Sequence, residues 1–154
     1  MNESDVTIDL ALSKSDQQAV KTLFIEYSKW LPVSLDFQDF NQELNDFPKG
    51  YVYLLLAKKA GMPVGAMGLR AHSKTTCEMK RLFVKQEAQG LGIGRSLSLH
   101  LMQEAKALGF KEMVLDSLKR LKPAVKLYQS LGFSEIEPFN FNPEDDVIYM
   151  RRNL

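Results

Sequence analysis

The chain has 154 residues, 45% hydrophobic and 25% charged, with a formal net charge of +1. That length suggests one domain over 1–154 with a real core, and the balanced charge excludes the global basic field of a nucleic-acid binder. A lone cysteine, Cys77, excludes an intrachain disulfide and fits a reducing interior.

The opening residues, MNESDVTIDL, carry acids but no basic or apolar signal region. The longest apolar run, YVYLLLA, is too short to span a bilayer. The expectation is a soluble cytoplasmic protein with no membrane role. In chain order, Val6 to Leu12 alternates apolar and polar residues as a half-buried strand does. Ser15 with Gln18 resembles a capping box, and Val20, Leu23, Phe24, Tyr27 and Leu31 follow at helical spacing until Pro32. A short helix is expected from Asp36, with Phe37, Phe40 and Leu44 on one face.

YVYLLLAKK reads as a buried strand, AGMP as a turn, and VGAMGLRAH as a second strand. Thr75 to Lys85 is a third. The next helix is expected to bury Ile93, Leu97, Leu101, Ala105 and Leu108, with Gly109 as its stop. KEMVLDSL is another strand, Pro123 opens a helix, and Gly132 closes it with Phe133 packing back. Strands from Ser134 to Phe139 and Asp146 to Arg151 complete the chain. This order predicts an α/β fold with a largely antiparallel sheet. The unit from Thr76 to Ser117 should be a parallel crossover, which favours a cleft at the strand's carboxyl end.

Three glycines, Gly90, Gly92 and Gly94, stand at that end and at the start of a helix. A Walker loop fails at Gln89, where its first glycine belongs, and the dinucleotide fingerprint fails at Arg95. The physics of such loops still applies, because glycines let an anion approach bare N–H groups at the positive end of a helix. Arg95 and Ser96 lie in the first turn. A cation is disfavoured there, so Arg95 is more easily explained by an anion that it helps bind, with a solvated surface arginine as the alternative.

Gln89, Gly92 and Gly94 fit the Q/R-x-x-G-x-G/A signature of the GCN5-related N-acetyltransferases (GNAT), and LYQSLGF, Leu127 to Phe133, resembles the L-Y-x-x-x-G-F signature of the same family. CEMKRLFV resembles its central strand. The resemblance covers essentially the whole chain and implies a GNAT-like mixed, largely antiparallel sheet flanked by helices, with a parallel strand pair at the cofactor cleft. It implies acetyl-CoA as cofactor, and direct transfer of the acetyl group to a primary amine in a ternary complex. The amine would belong to a small molecule, an amino acid or a peptide terminus.

Carried over by position, main-chain groups of Leu82, Phe83 and Val84 would meet the pantetheine and the acetyl carbonyl. The amides of Gln89, Gly90, Leu91, Gly92, Ile93, Gly94 and Arg95, with Ser96, would cradle the pyrophosphate. Fixed N–H donors would stabilise the charge that the carbonyl gains during attack.

Tyr128 stands at the general-acid position of the second signature, and Glu78 is the candidate base, with Asp116 as its competitor. The plainer readings are a buried tyrosine sharing a face with Val125 and Leu131, and a Glu78 ion pair with Lys80 or across strands. Regular alternation puts Glu78, Lys80 and Leu82 on one face. Leu121 stands where family members often carry asparagine, which leaves that cofactor contact missing or supplied by Ser117.

His72 and His100 have no partner at metal-ligand spacing, so no metal site is expected and surface or packing roles are favoured. Cys77 reads as a small core residue, and KSDQQ and Glu144 to Asp146 as solvated charge. Trp30, Asp36 and Phe37 are candidates to line an acceptor pocket, with helix packing the simpler reading. Rival functions are a non-catalytic acyl-CoA sensor, which would need neither Tyr128 nor Glu78, and a nucleotide-phosphate module. The choice between monomer and homodimer stays open.

Overall fold

The computed structural model describes residues 5–35 and 39–154. In chain order it contains β1 (Val6–Leu10), α1 (Lys14–Trp30), α2 (Phe40–Asp46), β2 (Tyr53–Lys59), β3 (Met62–Ala71) and β4 (Thr76–Val84). A 3-10 turn (Gln86–Ala88) then leads to α3 (Ile93–Ala107), β5 (Glu112–Leu118), α4 (Lys122–Ser130), β6 (Ser134–Ile136) and β7 (Val147–Asn153). The seven strands form one mixed sheet in the order β1-β2-β3-β4-β5-β7-β6. Every pairing is antiparallel except β4 with β5. No helix among the described residues is long and apolar enough to cross a membrane.

Period-2 alternation divides β2 between two cores. Leu55 and Ala57 face a cluster that includes Leu97, Leu101 and Ala105 of α3, while Leu54 and Leu56 face Val20, Leu23 and Phe24 of α1. Leu97 and Leu101 are fully buried, each contributing about 2 kcal/mol of apolar transfer. The sheet is thus covered by α3 and α4 on one face and by α1 and α2 on the other.

Several local expectations are corrected. The α1 cap is Ser13, whose Oγ accepts from the Asp16 N–H at 3.0 Å, rather than Ser15, which lies inside the helix. Both serines precede an acid or amide at capping distance, so local spacing did not separate them. The second helix begins at Phe40, and Asp36 and Phe37 lie outside the described residues. Met62 and Pro63 belong to β3 rather than to the preceding turn.

Leu108 is 46% exposed because α3 has already ended, leaving it as the C-cap. The strand from Ser134 ends at Ile136, three residues short of Phe139, since β6 pairs with β7 only from Ser134 to Ile136.

Candidate active site

β4 and β5 pair only through Thr76–Glu112, Cys77–Met113 and Glu78–Val114. Beyond that point β4 runs on to Val84 and β5 to Leu118 without pairing, so the two strands splay. On its other edge β4 stays bonded to β3, but the register slips between Ala66 and Gly68. Arg81 stands opposite the slip with φ of 62°, a left-handed conformation that non-glycine residues adopt rarely.

This bulge overturns the regular alternation. Cys77, Met79, Leu82 and Val84 pack against the α3 core, while Phe83 joins the α1 core. Glu78 and Lys80 therefore do not share a face with Leu82. One extra residue in a strand reverses every side chain after it.

The bulge is tied down from α2. Glu43, 8% exposed, accepts from Arg81 Nη2 at 2.9 Å and Nε at 3.3 Å, from Arg70 Nη2 at 2.7 Å and from the Tyr51 hydroxyl at 2.7 Å. Burial pushes the Glu43 carboxyl up, but the Arg81 hydrogen bonds and charge outweigh it and hold the group below the ordinary carboxylate range. Arg81 also lies over the Phe40 ring at 5.0 Å.

Immediately after β4 the glycine segment borders a cleft of about 500 Å³. Its walls include Leu82, Phe83 and Val84 of β4, Gln89 to Arg95 apart from Leu91, and Ala124 and Leu127 of α4. Gly90 and Gly92 have φ of 85° and 77°, with nothing within 4 Å of the position a Cβ would take. The conformation, rather than crowding, is what calls for glycine at both.

Gly92 caps α3, and the first bond of the helix runs from the Ser96 N–H to the Gly92 carbonyl at 3.0 Å. The N–H groups of Ile93, Gly94 and Arg95 therefore have no partner within the helix. A Cβ on Gly94 would meet only Leu127, Leu82 and Val84 at 3.6–4.0 Å, so the protein itself leaves room there. Gln89 Nε2 donates to the Val84 carbonyl at 3.2 Å, bracing the loop against the strand end.

A small pocket of about 60 Å³ lies in the splay, bordered by Met79, Lys80 and Arg81 on one strand and Asp116, Ser117 and Leu118 on the other. Tyr27 and Asn142 also line it. A wider cleft of about 460 Å³ shares Lys80 and is lined by Arg70, His72, Glu78, Phe139, Asn140 and Phe141. The two are bridged by Asn140, whose Nδ2 donates to Asp116 Oδ2 at 3.1 Å. Burial pushes the Lys80 ammonium down, against the opposing pull of Glu78.

Glu78 is 5% exposed, with Oε1 2.7 Å from His72 Nε2 and Oε2 3.6 Å from Lys80 Nζ. His72 is therefore not isolated, as its sequence neighbours suggested. The turn after β3 folds it back beside Glu78 and edge-on to Phe139 at 5.5 Å.

Tyr128 is 8% exposed within the α3 core, its ring against Phe133 at 6.1 Å, as the packing of Phe133 onto the helix end anticipated. Burial, helped by Tyr27 and Asp116, pushes its phenol well above the usual tyrosine value. Burial likewise pushes Tyr27 to about 12. Cys77 is fully buried, as expected of a small core residue, and its thiol is pushed to about 12 by burial.

The sequence-predicted residues thus divide. Leu82, Phe83, Val84, Gln89, Gly90, Gly92, Ile93, Gly94 and Arg95 come together around the larger cleft. Leu91 packs toward the α3 core, and Ser96 is exposed with its N–H already bonded to Gly92. Ser117 faces the small pocket in the splay rather than the glycine cleft, while Leu121 borders both. Arg95 Nη1 donates to Ser130 Oγ at 3.1 Å, which gives it an anchor on α4. Trp30 lines the glycine cleft and lies 6.3 Å from the Phe83 ring.

Sequence reasoning missed Arg120, Asn140 and the Glu43 cluster. Arg120 lines the glycine cleft and is gripped by Glu144 Oε1 at 2.6 Å and Asp146 Oδ1 at 2.8 Å. Glu144 and Asp146 are therefore partners of Arg120 rather than merely solvated. Apart from Tyr51 and Glu43, eight positions apart, the pairs span 24 to 38 residues, and no local pattern marks them.

The model of the acetyltransferase (GNAT) family matches residues 18–133. An uncharacterised N-acetyltransferase of Schizosaccharomyces pombe is 34% identical over 160 aligned residues, covering 100% of this chain and 98% of that protein. Among solved structures, an acetyltransferase from Streptococcus agalactiae overlays with a TM-score of 0.79 at 21% identity, covering 97% of this chain and 99% of the other. A Salmonella typhimurium protein solved with its cofactor acetyl-CoA overlays at 0.73 with 22% identity, covering 97% and 94%. At such identities these overlays speak for the fold, while the family model and the yeast relative speak for descent. With the splayed parallel pair, the glycine turn and both signatures in place, the chain belongs to the acetyltransferase (GNAT) family.

Proposed function

We propose that the protein is an acetyl-CoA-dependent N-acetyltransferase that moves an acetyl group to a primary amine by direct attack within a ternary complex. The observation that carries this reading is the splay of β4 from β5 beyond Glu78, which opens between the glycine cleft and the polar acceptor-side clefts. The residues present suit acetyl-CoA. Orphan N–H groups of Ile93, Gly94 and Arg95 at a helix N-terminus favour a pyrophosphate, and apolar walls from Leu82, Val84 and Leu127 favour a pantetheine arm. The Salmonella typhimurium neighbour with acetyl-CoA supports the same assignment.

Acetyl-CoA supplies an activated thioester. Glu78, at the last paired rung of the splay, takes the proton of the incoming ammonium, with Asp116 as the alternative base across the opening. The freed amine forms the C–N bond as the C–S bond breaks. Tyr128 gives its hydroxyl proton to the leaving sulfur, and the remaining amine proton restores the phenol. A tyrosine hydroxyl, with an ordinary pKa of about 10, is protonated at working pH, as an acid must be. Lys85 donates its N–H to the Val64 carbonyl of β3, so by alternation the main-chain N–H groups of Leu82 and Val84 face the edge of β4 that β5 has left, where they stabilise the carbonyl oxygen during attack.

Release of free thiol from acetyl-CoA, measured with and without an amine panel, tests the reading. Amine-dependent release that falls in Tyr128→Phe supports it. Binding of acetyl-CoA without any transfer would leave the chain as a cofactor sensor.

A further inference from the structure

Among the described residues, two buried side-chain polar atoms lack a hydrogen-bond partner, Arg70 Nε and Glu78 Oε2. One is a donor and the other an acceptor, and both belong to side chains lining the same 460 Å³ cleft. Lys80 Nζ stands 3.6 Å from Glu78 Oε2, an ion pair longer than a hydrogen bond. Buried polar groups are hydrogen-bonded as a rule, so a donor and an acceptor left without hydrogen bonds at one cleft point to a ligand that completes them.

Neither side chain is free to turn away. Arg70 is fixed by its Nη2 bond to Glu43 at 2.7 Å and by its stack on the Tyr51 ring at 4.6 Å. Glu78 is fixed through Oε1 by His72 at 2.7 Å. A guanidinium held in this way presents a fork suited to a carboxylate, while a carboxylate oxygen suits an ammonium.

We infer that the acetyl acceptor is an amine that also carries a carboxylate, an amino-acid-like zwitterion whose carboxylate is held by Arg70 and whose ammonium is held by Glu78. The inference rests on the acetyltransferase reading of this site and narrows its substrate. It gives Glu78 a ligand whose proton it can take, next to the splay that Asn140 and Asp116 border. The Phe139 ring, wedged edge-on between His72 at 5.5 Å and Tyr149 at 5.1 Å, is an apolar wall for the ligand's own side chain. A peptide terminus does not offer this pattern, because its α-carboxylate is spent in the amide bond.

The test compares the proteinogenic amino acids, each alongside its α-amide and its decarboxylated amine, as acceptors in the thiol-release assay. Acetyl-CoA binding is measured in parallel by calorimetry. The expected result is at least one amino acid whose kcat/KM exceeds that of both partners by tenfold or more. Arg70→Gln should raise the KM for that amino acid tenfold or more with little change in kcat, and leave the KM of its amide unaltered. A merely structural role for Arg70 would move both acceptors together.

The comparison on the unaltered protein stands even if the variant folds poorly, and Arg70→Lys, which keeps the charge but loses the fork, should fall between the two. Equal or better turnover of amides or plain amines would overturn the substrate class and leave the acetyltransferase intact. Turnover of other amines but of no amino acid would do the same, whereas acetyl-CoA binding with no turnover of any acceptor would overturn both this inference and the acetyltransferase reading. Absence of acetyl-CoA binding would instead sink the acetyltransferase reading, and this inference with it.

Discussion

Replacing Glu43 by glutamine should destabilise the protein by about 3 kcal/mol, because it strands a buried guanidinium. The Arg81 side chain is 3% exposed and the Glu43 side chain 4%, so their pairing occurs away from water. Removing one partner of such a pair costs about 3–5 kcal/mol. The glutamine keeps one acceptor oxygen, and Arg70, 30% exposed, retains some hydration, which places the loss at the lower end of that range.

In urea, with a slope of about 2 kcal/mol/M, the unfolding midpoint should fall by about 1.5 M at neutral pH with the slope unchanged. The double variant Glu43→Gln/Arg81→Met, which removes both charges, should recover much of the loss. Acidification supplies an independent check. The folded-state pKa of Glu43 is depressed, so its contribution is complete above the unfolded carboxylate value and disappears as pH falls through the folded one. The gap between parent and variant should therefore be widest above about pH 5 and narrow below it. A midpoint shift under about 0.5 M at neutral pH, or a gap that widens in acid, would refute the account of this cluster.

Other consequences follow from the same geometry. Tyr128→Phe should lower kcat by about a hundredfold or more, yet hold the urea midpoint, since no described residue hydrogen-bonds the hydroxyl. Because burial raises the Tyr128 pKa, kcat in the parent protein should show no alkaline fall at the ordinary tyrosine value of about 10. Gly94→Ala should leave stability equal or higher by up to about 1 kcal/mol. A Cβ there makes only ordinary contacts with the protein, so weaker acetyl-CoA binding in calorimetry would report the ligand's own need for space. Gly92→Ala, forced to φ of 77°, should lose roughly 1–2 kcal/mol of stability in urea unfolding as well as affinity. Cys77, its thiol raised to about 12 and fully buried, should resist a thiol reagent until urea opens the core.

What the sequence disclosed, and what it withheld, follows the range of the interactions. The glycine turn was legible because positive φ at Gly90 and Gly92 is a demand of the backbone on a few adjacent residues. The second signature was legible for a similar reason, since Tyr128 to Phe133 sit within one helix end. The bulge at Arg81 was not, because KRL carries no glycine to announce a left-handed residue. What holds that conformation is Glu43, 38 positions away and visible only once α2 has docked. The same applies to His72, whose link to Glu78 depends on the turn between β3 and β4. Local demands are written in neighbouring residues, whereas polar pairs that shape the acceptor side depend on tertiary register.

The central claim, that this chain transfers acetyl from acetyl-CoA to an amine at the β4–β5 splay, is tested most directly by product analysis. The purified protein is incubated with acetyl-CoA and an amine panel, and the acceptors are examined by mass spectrometry for the gain of one acetyl group, with Glu78→Gln in parallel. The account predicts acetylated amine and equimolar free CoA from the parent protein, with product strongly reduced by the substitution. Free CoA without acetylated amine, or product formed equally well by Glu78→Gln and by Asp116→Asn, would contradict it.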